Sequence, residues 1–389
     1  MIDSMISSRV KKIKPSGIRR FFDIVTQMED VISLGVGEPD FATPWHVREE
    51  AIYALEKGRT TYTSNSGLLE LRQEISHYLS NRYNINYNPE DQVLVTVGAS
   101  EAIDLAIRAL IEPGDEVLIP EPSYVSYSPC VILAGGIPIA VPTTEKTDFR
   151  LAGVDLASCI TDRSKILILP YPNNPTGAIM ECHNLEEIAE ILRKNDMLTI
   201  SDEIYSELTY DLEHISIASL EGMYEKTLVI NGFSKSFAMT GWRLGYAAGP
   251  PPLIDAMTKI HQYAIMCCPT ISQYGAIEAL RNGIDSVRRM QEEYDHCRKL
   301  MVHGFREMGL DCFEPKGAFY VFPCVKSLGM SSEEFCNRLL DDERVAVVPG
   351  NAFGDSGEGY IRCSYAYSMA NLEEALTRIS RFVTGIRAS

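Results

Sequence analysis

Between residues 92 and 248 the chain repeats one pattern. Short runs of β-branched and aliphatic residues (Gln92–Val97, Glu116–Ile119, Ile137–Val141, Lys165–Leu169, Met197–Ile200, Thr227–Ile230 and Arg243–Ala248) alternate with helical stretches. Helical patterns also cover Trp45–Lys57, Gly67–Tyr83 and Ala99–Ile111. Apolar runs of this length, without strict polar alternation, belong to strands buried on both faces. The fold class is therefore α/β, a large domain whose mostly parallel central sheet is flanked by helices. Ligands of such sheets sit beyond the carboxyl ends of the strands.

After about residue 285 the texture changes. A long charged helix (Ser286–Met308) precedes an aromatic strand Ala318–Phe322, then Val345–Val348 and Tyr360–Tyr365, with helix resuming at Leu372. This reads as a smaller α+β domain. The expected division is an N-terminal arm joined to the small domain (1–45), a large domain (46–285) and the C-terminal small domain (286–389).

Charge narrows the class of partner. The 389 residues carry 36 Lys and Arg against 53 Asp and Glu, a net charge of −17. Nucleic acid and anionic membranes are disfavoured as partners, because both need a basic footprint. No apolar run approaches the roughly 18–20 residues of a membrane helix. The ten cysteines contain no C-x-x-C, and the seven histidines show no metal-binding spacing. We expect buried reduced thiols, a cytoplasmic location and no metal. The basic opening segment (Arg9, Lys11, Lys12, Lys14, Arg19, Arg20) reads as an arm of the fold rather than a targeting peptide.

Four strand ends carry polar clusters: Gly98-Ala99-Ser100-Glu101, Asn173-Asn174-Pro175-Thr176-Gly177, Ser201-Asp202-Glu203-Ile204-Tyr205 and Asn231-Gly232-Phe233-Ser234-Lys235. Singly, each is a cap, a turn or a solvated charge. Together they provide an amine, a carboxylate, a phenol, an amide and a helix N-terminus. That set suits a phosphorylated aromatic aldehyde: the lysine forms a Schiff base, the carboxylate holds a proton on the ring nitrogen, and the helix takes the phosphate. The cofactor is read as pyridoxal 5'-phosphate.

Six blocks in order carry a resemblance over residues 8 to 385. The run G-F-S-K-S-F-A-M-T-G-W-R-L-G at 232–245 resembles the lysine signature of the class I aminotransferases. G-V-G-E-P-D-F at 35–41, N-N-P-T-G at 173–177, S-D-E-I-Y at 201–205, V-A-V-V-P-G at 345–350 and I-R-C-S-Y-A at 361–366 are similar to its other blocks. The likeness is to bacterial and archaeal aspartate and aromatic enzymes of fold type I.

The resemblance implies that Lys235 binds the cofactor and shuttles the α-proton. It implies that Asp202 pairs with the ring nitrogen, and that Tyr205 and Asn174 meet the phenolic oxygen. Ala99, Ser100 and Arg243 would hold the phosphate, Ser234 would assist, and Tyr124 would stack on the ring. Tyr62 would reach a neighbouring subunit's phosphate, which implies a homodimer with shared sites. Arg362 would fork onto the substrate α-carboxylate, with Gly37 and Asn174 beside it. The amine itself must be neutral when it acts, and both a desolvated pocket and Arg243 should depress its pKa.

Two positions depart from the family pattern. Gly232 stands where a serine often adds a phosphate ligand. Ser100 stands where some aspartate enzymes hold the distal carboxylate with lysine, and Ile18 adds an apolar neighbour. The expected reaction is ping-pong transfer from an L-amino acid, aromatic or other apolar favoured over aspartate, to 2-oxoglutarate. A C–S β-lyase or cyclising lyase on the same fold is the rival reading. An aminotransferase-like transcription regulator is the remote one, but no room precedes residue 35 for a DNA-binding domain.

Overall fold

The computed structural model describes residues 2–13, 28 and 30–388. Ile18, and with it Lys14, Arg19 and Arg20, lies outside the described residues.

Seven strands form the central sheet in the order β2-β8-β7-β6-β5-β3-β4. They are β2 (Val93–Thr96), β3 (Glu116–Glu121), β4 (Ile137–Pro142), β5 (Ser164–Leu169), β6 (Leu198–Asp202), β7 (Thr227–Gly232) and β8 (Gly245–Ala248). β1 is the two-residue strand Ile32–Ser33 in the arm. All sheet neighbours are parallel except those of β8, which runs antiparallel to both β7 and β2.

Around the sheet lie α1 (Trp45–Glu56), α2 (Leu69–Tyr83), α3 (Ala99–Leu110), α4 (Tyr127–Ala134), α5 (Gly153–Cys159), α6 (Cys182–Lys194), α7 (Pro251–Ala264) and α8 (Thr270–Asn282). Both faces are covered, which explains the unbroken apolar runs. Side chains alternate between faces with period two. Ile166 and Ile168 of β5 join a buried cluster with Ile103, Val131 and Met257, whereas Leu167 and Leu169 join another with Leu185, Ile188 and Leu192.

β8 does most to shape the site. Its first residue, Gly245, is in register with Gly232 at the end of β7 and with Thr96 at the end of β2. Because β8 reverses direction, it begins where its neighbours finish. The loop 233–244 and the β2–α3 link therefore emerge at one edge. Gly232 is dictated by this crossing: a Cβ there would lie 3.0 Å from the Cα of Gly245.

The C-terminal part contains α9 (Ile284–Glu307), α10 (Ser332–Glu343), α11 (Met369–Ala388) and a three-stranded antiparallel sheet, order β11-β12-β9. Here β9 is Tyr320–Val321, β11 Val348–Pro349 and β12 Ile361–Ser364. The expected single strand Val345–Val348 is in fact two. β10 (Val345–Ala346) pairs in parallel with β1, and β11 pairs with β12 in a different sheet. The thiol expectation also needs correction. All ten cysteines are free, but only Cys268, Cys297, Cys312, Cys336 and Cys363 are buried, and Cys182 is exposed.

Candidate active site

At the carboxyl ends of β5, β6 and β7 lies a cleft of about 380 Å³. It gathers Gly37, Ala99, Ser100, Tyr124, Asn174, Asp202, Tyr205, Ser234, Lys235, Arg243 and Arg362, all expected from sequence. Tyr62 is not among them; it stands 80% exposed on the outer surface.

Each side chain is positioned by the local fold. Lys235 follows β7, and its Nζ donates to the carbonyl of Gly37 at 2.6 Å. Burial lowers its pKa to about 8, Glu38 opposes the shift, and Arg362 and Arg243 add to it. Arg362 thus contributes beside Arg243, which the sequence reading had named alone. The Gly37 carbonyl thus meets Lys235, while Arg362 donates to the carbonyl of Gly35.

Asp202 ends β6 and is buried. Tyr127 of α4 donates to its Oδ2 at 2.7 Å, and the Ile204 amide donates to Oδ1 at 3.3 Å. Burial nevertheless raises its pKa to about 6, with Glu203 adding to the rise. Both hydrogen bonds favour the ionised form and limit the shift. Tyr127 was missed from sequence, though it follows Tyr124 by three residues just past the end of β3.

In the turn after β5, the two asparagines divide the work. Asn173 accepts from the Thr176 amide at 3.1 Å and the Thr176 hydroxyl at 2.8 Å, which builds the turn. Asn174 faces the cleft and accepts from Nη1 of Arg362 at 2.9 Å. The Arg362 guanidinium lies 4.5 Å from the ring centre of Tyr320 and 4.8 Å from that of Phe353. Its Nε is buried without a partner among the described residues.

Tyr320 was also missed. Its hydroxyl is 2.8 Å from that of Tyr205 and occupies the space a side chain on Gly37 would need. The visible signal was the aromatic run at 318–322, on a strand that pairs with the strand of Arg362.

At the other end of the cleft, Gly98 has φ +80° and precedes the first turn of α3. A Cβ at Gly98 would lie 2.8 Å from Nη2 of Arg243. Arg243 itself holds φ +53° and donates to the Thr240 carbonyl at 3.1 Å. First-turn amides such as those of Ala99 and Ser100 have no partner inside their helix and suit an anion. Ser234 is buried and lines the same cleft.

The donor set fits a phosphorylated pyridine aldehyde. It offers an amine of lowered pKa, a buried carboxylate, a phenol, an anion cradle beside an arginine, and a buried guanidinium with one N–H unpaired among the described residues. Among the described residues, no cluster of His, Cys, Asp or Glu could hold a metal. No described helix is long and apolar enough to cross a membrane.

Comparison with known proteins points the same way. The family model "Aminotransferase class I and II" matches residues 29–379. An aspartate aminotransferase of Pyrococcus abyssi is 48% identical over 97% of both chains. The aromatic-amino-acid aminotransferase 2 of Thermococcus litoralis is 45% identical, again over 97% of each. The crystal structure of an aromatic aminotransferase from Pyrococcus horikoshii OT3 has a TM-score of 0.91 at 46% identity, covering 95% of this chain and 100% of that one.

Proposed function

The chain belongs to the class I and II aminotransferases, pyridoxal-phosphate-dependent transaminases, and on that premise we propose that it moves the amino group of aromatic and other large apolar L-amino acids to 2-oxoglutarate. One observation carries the substrate preference. Among the described residues lining the cleft, the cations are Lys235, Arg243 and Arg362, and each already has a task. Ser100 offers no charge for the side-chain carboxylate of aspartate, and Ile103, Tyr124, Ile204 and Tyr320 supply apolar surface.

When bound, the cofactor supplies an electron sink for the substrate's α-carbon. The chain does the rest. Arg362 and Asn174 grip the α-carboxylate, a task suited to the guanidinium fork. Lys235, whose lowered pKa leaves more of it neutral near pH 7, moves the proton at the α-carbon. Asp202 would accept a hydrogen bond from the protonated ring nitrogen and keep the proton there, and Tyr205 would donate to the phenolic oxygen. Ala99, Ser100, Ser234 and Arg243 would hold the phosphate, and Tyr124 would cover the ring. A 2-oxo acid then takes the amino group in the reverse half-reaction.

The same proposal includes a homodimer in which Tyr62 reaches the partner's phosphate. Its exposure supports this, as does that of Tyr263 and Ile265, whose segment is tied to that of Tyr62 by the Asn65–Gln262 hydrogen bond. Pairing of β1 with β10 supports grouping the arm with the C-terminal small domain, and residues 46–285 as the large one.

A panel of amino donors against 2-oxoglutarate tests the reading. Phenylalanine, tyrosine and large aliphatic donors should exceed aspartate in kcat/KM. Aspartate far ahead of all others would overturn the preference, and pyruvate and ammonia released without an acceptor would indicate lyase chemistry.

A further inference from the structure

Glu101 is the third residue of α3, and its side chain turns back over the helix start. Oε2 accepts the amide of Val97, which ties down the short link between β2 and α3. Oε1 lies 2.8 Å from Nδ1 of His261, a residue near the end of α7. A carboxylate only accepts, so Nδ1 carries the proton. His261 is fully buried, and its Nε2 has no partner among the described residues.

Both choices are expensive for a residue that merely fills space. An imidazole buried with one nitrogen unpaired loses hydration without return, and an apolar side chain of that size packs better. A carboxylate within one turn of an anion cradle also opposes the anion it adjoins. What the pair achieves is orientation. Gly98 stands between the tied amide of Val97 and the first amides of α3, and its φ of +80° sets their direction.

We propose that His261 and Glu101 form a clamp that positions the phosphate cradle: His261 fixes Glu101, Glu101 fixes Val97, and the amides of Ala99 and Ser100 are thereby aimed at the cofactor's phosphate. Both are positioning residues, since neither meets the cofactor. The clamp rests on the reading above that Ala99, Ser100 and Arg243 hold that phosphate.

The test uses the full chain, stripped of cofactor and titrated with pyridoxal 5'-phosphate and with pyridoxal, which lacks the phosphate. The ratio of the two dissociation constants measures the phosphate preference. His261→Leu should cut that preference about tenfold, the scale of lost outer-shell support at a binding site. His261→Asn, whose amide N–H can replace Nδ1–H, should restore most of it. If His261→Leu does not fold, Glu101→Leu should give the same cut, because it removes both the acceptor of the Val97 amide and the acceptor of Nδ1–H.

Arg243→Leu separates the two ideas. If it cuts the preference while His261→Leu changes nothing, or weakens both ligands equally, the clamp is overturned and the phosphate reading survives. If Arg243→Leu leaves the preference intact, the phosphate reading falls and the clamp with it. Failure of His261→Asn to restore the preference also overturns the clamp.

Discussion

The phenol of Tyr127 donates to Oδ2 of Asp202 across 2.7 Å, so the carboxylate that faces the cleft is held by a residue of α4 that lines the same cleft. A hydrogen bond to the ionised form lowers an acid's pKa. Its loss in Tyr127→Phe should raise the pKa of Asp202 above about 6. The acid limb of the kcat–pH profile should move to higher pH, and kcat at pH 6 should fall about tenfold. An acid limb that stays in place would show that Tyr127 does not act on Asp202.

Lys235 bears on stability as well as turnover. Its folded pKa of about 8 lies below the ordinary lysine value of 10.5. Between those values the unfolded chain binds the extra proton, so the cofactor-free protein gains stability as pH rises from about 8 to 10.5. Below pH 8 the buried ammonium is a full cost. Lys235→Met should therefore abolish transamination yet stabilise the cofactor-free chain at pH 7 by about 1–2 kcal/mol, discounted for the partial exposure of the amine. Thermal unfolding at pH 7 and pH 10 checks this, and the variant's advantage should shrink at the higher pH.

Arg362 makes directional contacts through both terminal nitrogens, to Asn174 and to Gly35. A lysine cannot reproduce that fork. Arg362→Lys should raise KM for amino and oxo acids alike by about 100-fold, the order of a lost charge-assisted pair of hydrogen bonds. Cofactor affinity, measured separately, should change little. An unaltered KM would remove Arg362 from substrate binding.

Gly98→Ala tests the cradle directly. The backbone there has φ +80° and ψ 164°, a region that side-chain-bearing residues avoid, and the new methyl would press on Arg243. We expect a loss of about 1–3 kcal/mol in stability and weaker retention of the cofactor. Holoenzyme that survives dialysis as well as the parent would contradict this.

How much of this was visible beforehand differs by residue. The strand ends bearing Asn174, Asp202 and Lys235 were legible because a polar residue just past a buried apolar run stands out against its surroundings. Tyr127 and Tyr320 were not. Aromatic residues near strands and helices are ordinary core material, and only the fold reveals that their hydroxyls point at Asp202 and Tyr205. The apolar run Val345–Val348 looked like one strand because local pattern carries no information about pairing. Its halves join Ile32 and Arg362, partners far apart in the chain.

The reversed strand β8 has a consequence for how such an enzyme can diversify. By turning back beside β7, it lets fourteen consecutive residues, Gly232 to Gly245, carry both Lys235 and Arg243 into the cleft. The opposite wall draws on segments more than three hundred residues apart, Gly35–Glu38 and Arg362. The lysine and the arginine on its phosphate side are thus inherited on a single continuous cassette, while the rest of the pocket is assembled from distant pieces of the chain. Variation in those pieces can retune which side chain is admitted without disturbing the cassette.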